Sequence, residues 1–251
     1  MIRIRKYPRI LVSLFTVGYI FALYALVYPK MRQYGILILI ISAILNVFYV
    51  LSDEYKASHL LLSAKKCLEK GFFEKAASQI INASKIQANE EVLLQVHASP
   101  KKNPEVYRRT ADLLSKYLKE NDSPFLRFAI ASFYYTAGNK KKVKELLFEI
   151  PEEKRTIKMV RLLGSSLYEL REYDNAIEVF NEYDPTDLPA NNDEMAVVFG
   201  KGVSLLAKGE KEKAAETLSR VEMRNAKYGN VSKILNDLSA EEETDQKSED
   251  K

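Results

Sequence analysis

Catalysis needs reactive side chains within reach of one another, and this chain holds few. Its two histidines, His59 and His97, stand alone. Neither has a second histidine or a cysteine at metal-ligand spacing, so no zinc site is expected. The one cysteine, Cys67, falls at a helix-packing position, where a thiol acts as a small apolar side chain rather than a nucleophile. Gly200-Lys201-Gly202 lacks the rest of any phosphate-binding fingerprint and lies within a predicted helix. The basic run Lys140-Lys141-Lys142 with Lys144 reads as a solvated face, with contact to an anionic lipid headgroup as the sharper option. These residues imply no catalytic group, no cofactor, no metal and no enzyme.

The elements that would carry these residues begin with two apolar runs, Ile10–Tyr28 and Ile36–Leu51, joined by Pro29-Lys30-Met31-Arg32-Gln33-Tyr34-Gly35. The first carries no charge and is about as long as the ~20 residues that cross a bilayer core; the second is at the short end of that range. Together they predict a transmembrane helical hairpin over residues 10–51, preceded by a basic tail, 1–9. The first run is too long for the core of a cleaved signal peptide, and no small-residue cleavage site closes it. Arg3, Arg5, Lys6 and Arg9 outweigh Lys30 and Arg32, which places both termini in the cytoplasm. A short tail, a minimal loop and many lysines suggest the plasma membrane of a bacterium.

Six of the 38 basic residues precede Ser52, and all 34 acidic ones follow it. The remainder is therefore close to neutral, and the overall charge of +4 gives no reason to expect nucleic acid. Residues 241–251 contain no apolar side chain and are expected to be disordered.

Between them, residues 53–240 read as helix after helix, broken by short turns. Four segments superimpose around Gly71, Gly138, Arg171 and Gly209. A small residue stands seven places before each turn: Ala64, Ala131, Gly164 and Gly202. Five places after it come Ala76, Val143, Ala176 and Ala214, and four further on Ile80, Leu147, Phe180 and Leu218. Two antiparallel helices approach closely only where one presents Gly or Ala, with bulky residues filling the flanks. The turn glycine supplies the left-handed conformation that ends the first helix. The repeat-defining core is thus Ala64, Gly71, Ala76, Ala131, Gly138, Gly164, Ala176, Phe180, Gly202, Gly209 and Ala214.

This pattern resembles the tetratricopeptide repeat family. The match is carried by Leu163-Gly164-Ser165-Ser166-Leu167-Tyr168, then Tyr173-Asp174-Asn175-Ala176-Ile177 and Phe180, with Asp184-Pro185 close to the family's closing pair. Gly209, Ala214-Ala215 and Leu218 repeat it. Gly71 and Gly138 lie about two ~34-residue repeats apart. The intervening repeat would be Asn89–Glu120, with helices near Glu90–Ala98 and Glu105–Lys119, and Leu188–Asp193 would be an insertion. Arg171 in place of glycine and Val143 in place of alanine are departures.

The resemblance implies an all-α chain: the membrane hairpin followed by a tetratricopeptide-like α-solenoid. It also implies a concave groove lined by the first helix of each pair, here Lys65, Phe128, Ser132, Tyr135, Lys158, Arg161, Ser165, Tyr168 and Phe199. The expected function is a membrane-anchored adaptor or scaffold that binds a protein partner, a peptide or helix segment, in that groove. The alternative is an accessory subunit of a larger membrane complex, in which the hairpin makes the main contacts through Asn46, Gly18, Ala22, Ser42 and Ala43, including a homo- or hetero-oligomer.

Overall fold

The structure is a computed structural model that describes residues 32–86, 104–119, 122–185 and 187–249, with Ile20, Tyr24, Val27, Tyr28, Glu90, Leu93 and Val96. For Arg32, 45–51 and 241–249 only the backbone is described. The tail 1–9, nearly all of the first apolar run, most of the expected helix Glu90–Ala98 and the side chain of Asn46 lie outside these residues.

The described residues are all-helical. The α-helices are α1 (Arg32–Leu51), α2 (Asp53–Glu69), α3 (Phe73–Ile86), α4 (Pro104–Leu118), α5 (Pro124–Thr136), α6 (Lys140–Phe148), α7 (Ile157–Glu169), α8 (Tyr173–Asn181), α9 (Asn192–Lys208), α10 (Lys211–Arg224) and α11 (Val231–Glu249). Short 3-10 turns cover Glu152–Lys154 and Tyr228–Asn230.

Two compact units divide the chain between Lys102 and Asn103, not at Ser52 as the sequence suggests. Ser52 is itself the N-cap of α2, its hydroxyl accepting from the Tyr55 N–H at 3.3 Å, and α1 packs on α2. The apolar helix therefore belongs with the first hairpin, α2–α3. Among the described residues no helix is long and apolar enough to cross a membrane. α1 runs for 20 residues, with its side chains described over 33–44. Over that stretch Ile36, Leu37, Ile40, Ile41 and Ile44 are about half exposed, while Gly35 and Ser42 are buried.

In the second unit the helices pair as α5–α6, α7–α8 and α9–α10, with α4 against α5 and α11 against α10. First helices also meet first helices, α5 with α7 and α7 with α9. Polar caps start them: Ser123 accepts from the Leu126 N–H, Thr156 from Met159, and Asn191 from Asp193 and Glu194. Glu194 reaches back to accept from the Ala190 N–H at 2.7 Å, one residue before the N-cap.

All four turns between paired helices close identically. Gly71, Gly138 and Gly209 adopt φ of 80°, 83° and 93°, and Arg171 takes 63°. At each, the turn residue donates to the carbonyl three places back, and the next residue donates five places back: Phe72 to Cys67, Asn139 to Tyr134, Glu172 to Leu167 and Glu210 to Leu205. This is the Schellman closure. Arg171 thus performs the glycine's task in a conformation its side chain disfavours.

The core register is equally regular. Ala64, Ala76, Ala131, Ala176, Ala214, Val143, Ile80, Leu147 and Leu218 are fully buried, and Phe180 nearly so. A methyl group at Gly164 would sit 2.5 Å from the Phe180 ring, and one at Gly200 would collide with the same ring from α9. A methyl at Gly202 would lie 2.6 Å from Leu218. Both glycines of Gly200-Lys201-Gly202 therefore serve helix packing.

α11 continues to Glu249, through residues expected to be disordered. Its first turns pack Val231, Ile234 and Leu235 against Val198, Leu218 and Val221, and a helix once nucleated extends cheaply through glutamates.

Candidate functional site

Lys158, Arg161, Ser165 and Tyr168 recur at helical spacing on one stripe of α7. Lys158 and Ser165 are half-buried and Tyr168 is 37% exposed. Arg161 is not available as a free cation, because its guanidinium pairs with Asp193 at the start of α9. The lysine and arginine lie near the start of α7, while Tyr168 lies two to three turns away near its end, its ring tilted against that of Tyr173 with centres 5.7 Å apart.

On α5 the corresponding stripe is buried at Phe128 and Ser132 and half-buried at Tyr135. Phe128 is fully buried and Ser132 nearly so, with the serine hydroxyl donating to the Ala129 carbonyl at 2.7 Å. α5 is enclosed by α4, α6 and α7, so its aromatic residues build core rather than groove. On α9, Phe199 packs edge-on against Tyr228, with ring centres 5.6 Å apart, and meets Gly229. The 3-10 turn before α11 thus packs on Phe199 and leaves it half-buried. Lys65, on α2 of the first unit, is half-buried. Of the nine expected groove residues, Tyr168 is exposed, Lys65, Tyr135, Lys158, Arg161, Ser165 and Phe199 are half-buried, and Phe128 and Ser132 are buried.

Tyr135 belongs to a separate polar cluster. Its hydroxyl donates to Glu169 at 2.8 Å, Lys140 lies 3.0 Å above its ring, and Lys140 also pairs with Glu169 at 3.0 Å. Burial, then the Glu169 carboxylate, pushes the phenol well above its ordinary range. The rest of the basic run is largely committed: Lys142 to Glu145 at 2.7 Å and Lys144 to Glu172 at 2.5 Å, leaving Lys141 exposed. Lys144 holds the Glu172 carboxyl below its ordinary value.

Sequence reasoning missed two constellations. The insertion before α9 is tied down by Arg220, which donates to Asp184 and to the Pro185 and Asp187 carbonyls, while Lys201 pairs with Asp184 at 2.6 Å. The Asp184 of the closing Asp-Pro was the only visible signal. The second is Glu182 with Arg155, a pair whose side chains are each only 9% exposed. Arg155 also donates to the Ile150 carbonyl at 2.9 Å, and the Tyr183 hydroxyl donates to the Arg155 carbonyl at 2.7 Å. No sequence pattern marks either residue for burial.

Among the described residues no group of three or more His, Cys, Asp or Glu side chains could hold a metal ion. His59 stacks on Tyr55, and Cys67 is buried at its repeat position. The chain matches no protein-family model, no curated protein and no solved structure.

Proposed function

We propose that the protein is a membrane-anchored helical-repeat adaptor of the tetratricopeptide type, which holds a partner segment against α7. The observation that carries the reading is the contact of first helix on first helix, α5 to α7 to α9, with the α7 stripe exposed at Tyr168 and half-buried at Lys158 and Ser165. A lysine beside a hydroxyl and a tyrosine suits a segment that carries apolar and acidic side chains.

The membrane part of the reading rests on the half-exposed Ile36, Leu37, Ile40, Ile41 and Ile44 of α1, which water solvates poorly and acyl chains solvate well. The two apolar runs then form the hairpin, with both termini cytoplasmic, in a bacterial plasma membrane. Tethering raises the partner's effective concentration at the bilayer. The same exposed face favours the second reading, in which the hairpin packs against the spans of a larger membrane complex and the repeats stabilise it.

A photo-crosslinking residue placed at Lys158, Ser165 or Tyr168 in the full chain, in its own membranes, tests the first reading. These positions should capture a common partner that the same residue at Lys211 on α10 does not reach. Lys158→Glu combined with Tyr168→Ala should abolish capture. Arg161 is left intact, because reversing it would break the Asp193 pair. Replacing the hairpin by an unrelated anchor separates the readings: capture retained supports the α7 surface, and capture lost supports the hairpin. Equal capture from Lys211 would place the binding surface elsewhere.

A further inference from the structure

The α6–α7 connection and the end of α8 border an open depression of about 430 Å³ lined by Glu152, Glu153, Glu182 and Tyr183. Arg155, next to these carboxylates, is occupied by Glu182 Oε1 and the Ile150 carbonyl. The other oxygen of Glu182, Oε2, is buried with no hydrogen-bond partner, on a side chain 9% exposed. A buried carboxylate oxygen without a donor is costly, so such a group in a folded protein calls for an occupant. Glu182 also caps the C-terminus of α8, where the helix dipole adds negative potential and favours a cation.

From this geometry we infer that the Glu152–Glu153–Glu182 cleft receives a lysine or arginine side chain from a partner segment. The space is far larger than the ~30 Å³ that one water takes up. The carboxylates do not converge into a metal-binding set, which disfavours an inorganic cation. A long basic side chain lays its stem in the depression and brings its N–H donors to the Glu182 carboxyl, which turns to present Oε2, with Glu152 and Glu153 at the rim. The inference adds a second contact to the adaptor reading and rests on it only for the source of the side chain.

The test uses the full chain in detergent, with the glutamate side-chain carboxyl carbons labelled with carbon-13. The probes are the N-acetyl methylamides of lysine and arginine, the norleucine analogue and magnesium chloride. Saturable shifts of the Glu182 carboxyl carbon are expected with the two cationic probes and not with norleucine or magnesium. Glu152→Gln with Glu153→Gln leaves the Arg155–Glu182 pair intact and should weaken binding about tenfold. Glu182→Gln, read on the Glu152 and Glu153 carboxyl carbons, should abolish it, and if that variant does not fold, the rim variant decides. Equal response to norleucine, a response to magnesium alone, no response, or full binding by the rim variant would each overturn the inference. The probes need no partner and no membrane, so failure here leaves capture at α7 standing, and loss of that capture leaves this binding standing.

Discussion

α1 and α5 are both rich in large apolar side chains, and they dispose of them differently. α5 lies among α4, α6 and α7, and buries Phe125, Leu126, Phe128, Ile130, Phe133 and Tyr134. α1, in the other unit, packs on α2 while its isoleucines at 36, 40, 41 and 44 stay about half exposed. Apolar composition alone therefore does not say where a helix sits. What differs is whether the fold supplies neighbours on every side, and a helix left without them needs another apolar solvent or another chain.

The comparison breaks most severely if α1 is made polar. Leu37→Lys with Ile41→Lys should cost about 5–7 kcal/mol of insertion if both positions lie near the middle of a span. A reporter fused after Lys251 should then move to the opposite side of the membrane from its wild-type position. Wild type should report Lys251 and an insertion at Gln33 on opposite sides. An unmoved reporter in the double variant would show that α1 does not span.

Within the repeats the largest effect is expected at the tightest helix approach. Gly164→Leu drives a branched side chain into the space of the Phe180 ring, which already stands 2.5 Å from a built methyl. It should destabilise by roughly 3 kcal/mol, the upper end of overpacking. Leu at Lys211, the first residue of α10, should change stability by no more than about 0.5 kcal/mol. Equal thermal midpoints would remove the register.

The turns give a smaller and two-sided test. Gly138→Ala meets no neighbour within 4 Å, so only the positive φ opposes it, and a loss of about 1 kcal/mol is expected. Arg171→Gly should gain roughly 0.5 kcal/mol, the relief of left-handed strain less the entropy of glycine. A loss at Arg171 in thermal unfolding would show that its side chain contributes more than its backbone costs.

The smallest effect is electrostatic. Glu210 is held down to about 2 by its bonds to Lys208 and Lys213, and Lys208 also bridges to Asp174 on α8. A carboxyl depressed on folding stabilises above its unfolded pKa, and that contribution fades as pH falls from about 4.5 through 2. The gap in urea midpoint between wild type and Glu210→Gln should therefore narrow over that window. A constant gap would mean that the ion pairs do not contribute.

Much of the repeat architecture was legible because it depends on local sequence. The left-handed turn residue, the small residue seven places before it and the bulky one nine places after are set by helix geometry, so Arg171 could be placed in register despite its unfavourable type. The groove was legible only as a stripe on each helix. Whether a stripe stays open depends on what packs over it: α4, α6 and α7 surround the helix that carries Phe128, and Tyr228 covers Phe199. The sequence by itself determined the helices, their turns and the small-to-large contacts of each pair, since these arise within about 20 residues of chain. Only the tertiary structure decided that Arg161 is tied to Asp193, that Arg220 clamps the insertion and that Glu182 is buried with an oxygen to spare. Those outcomes join residues about 30 positions apart, and an isolated Arg or Glu carries no mark of the partner that folding will bring to it.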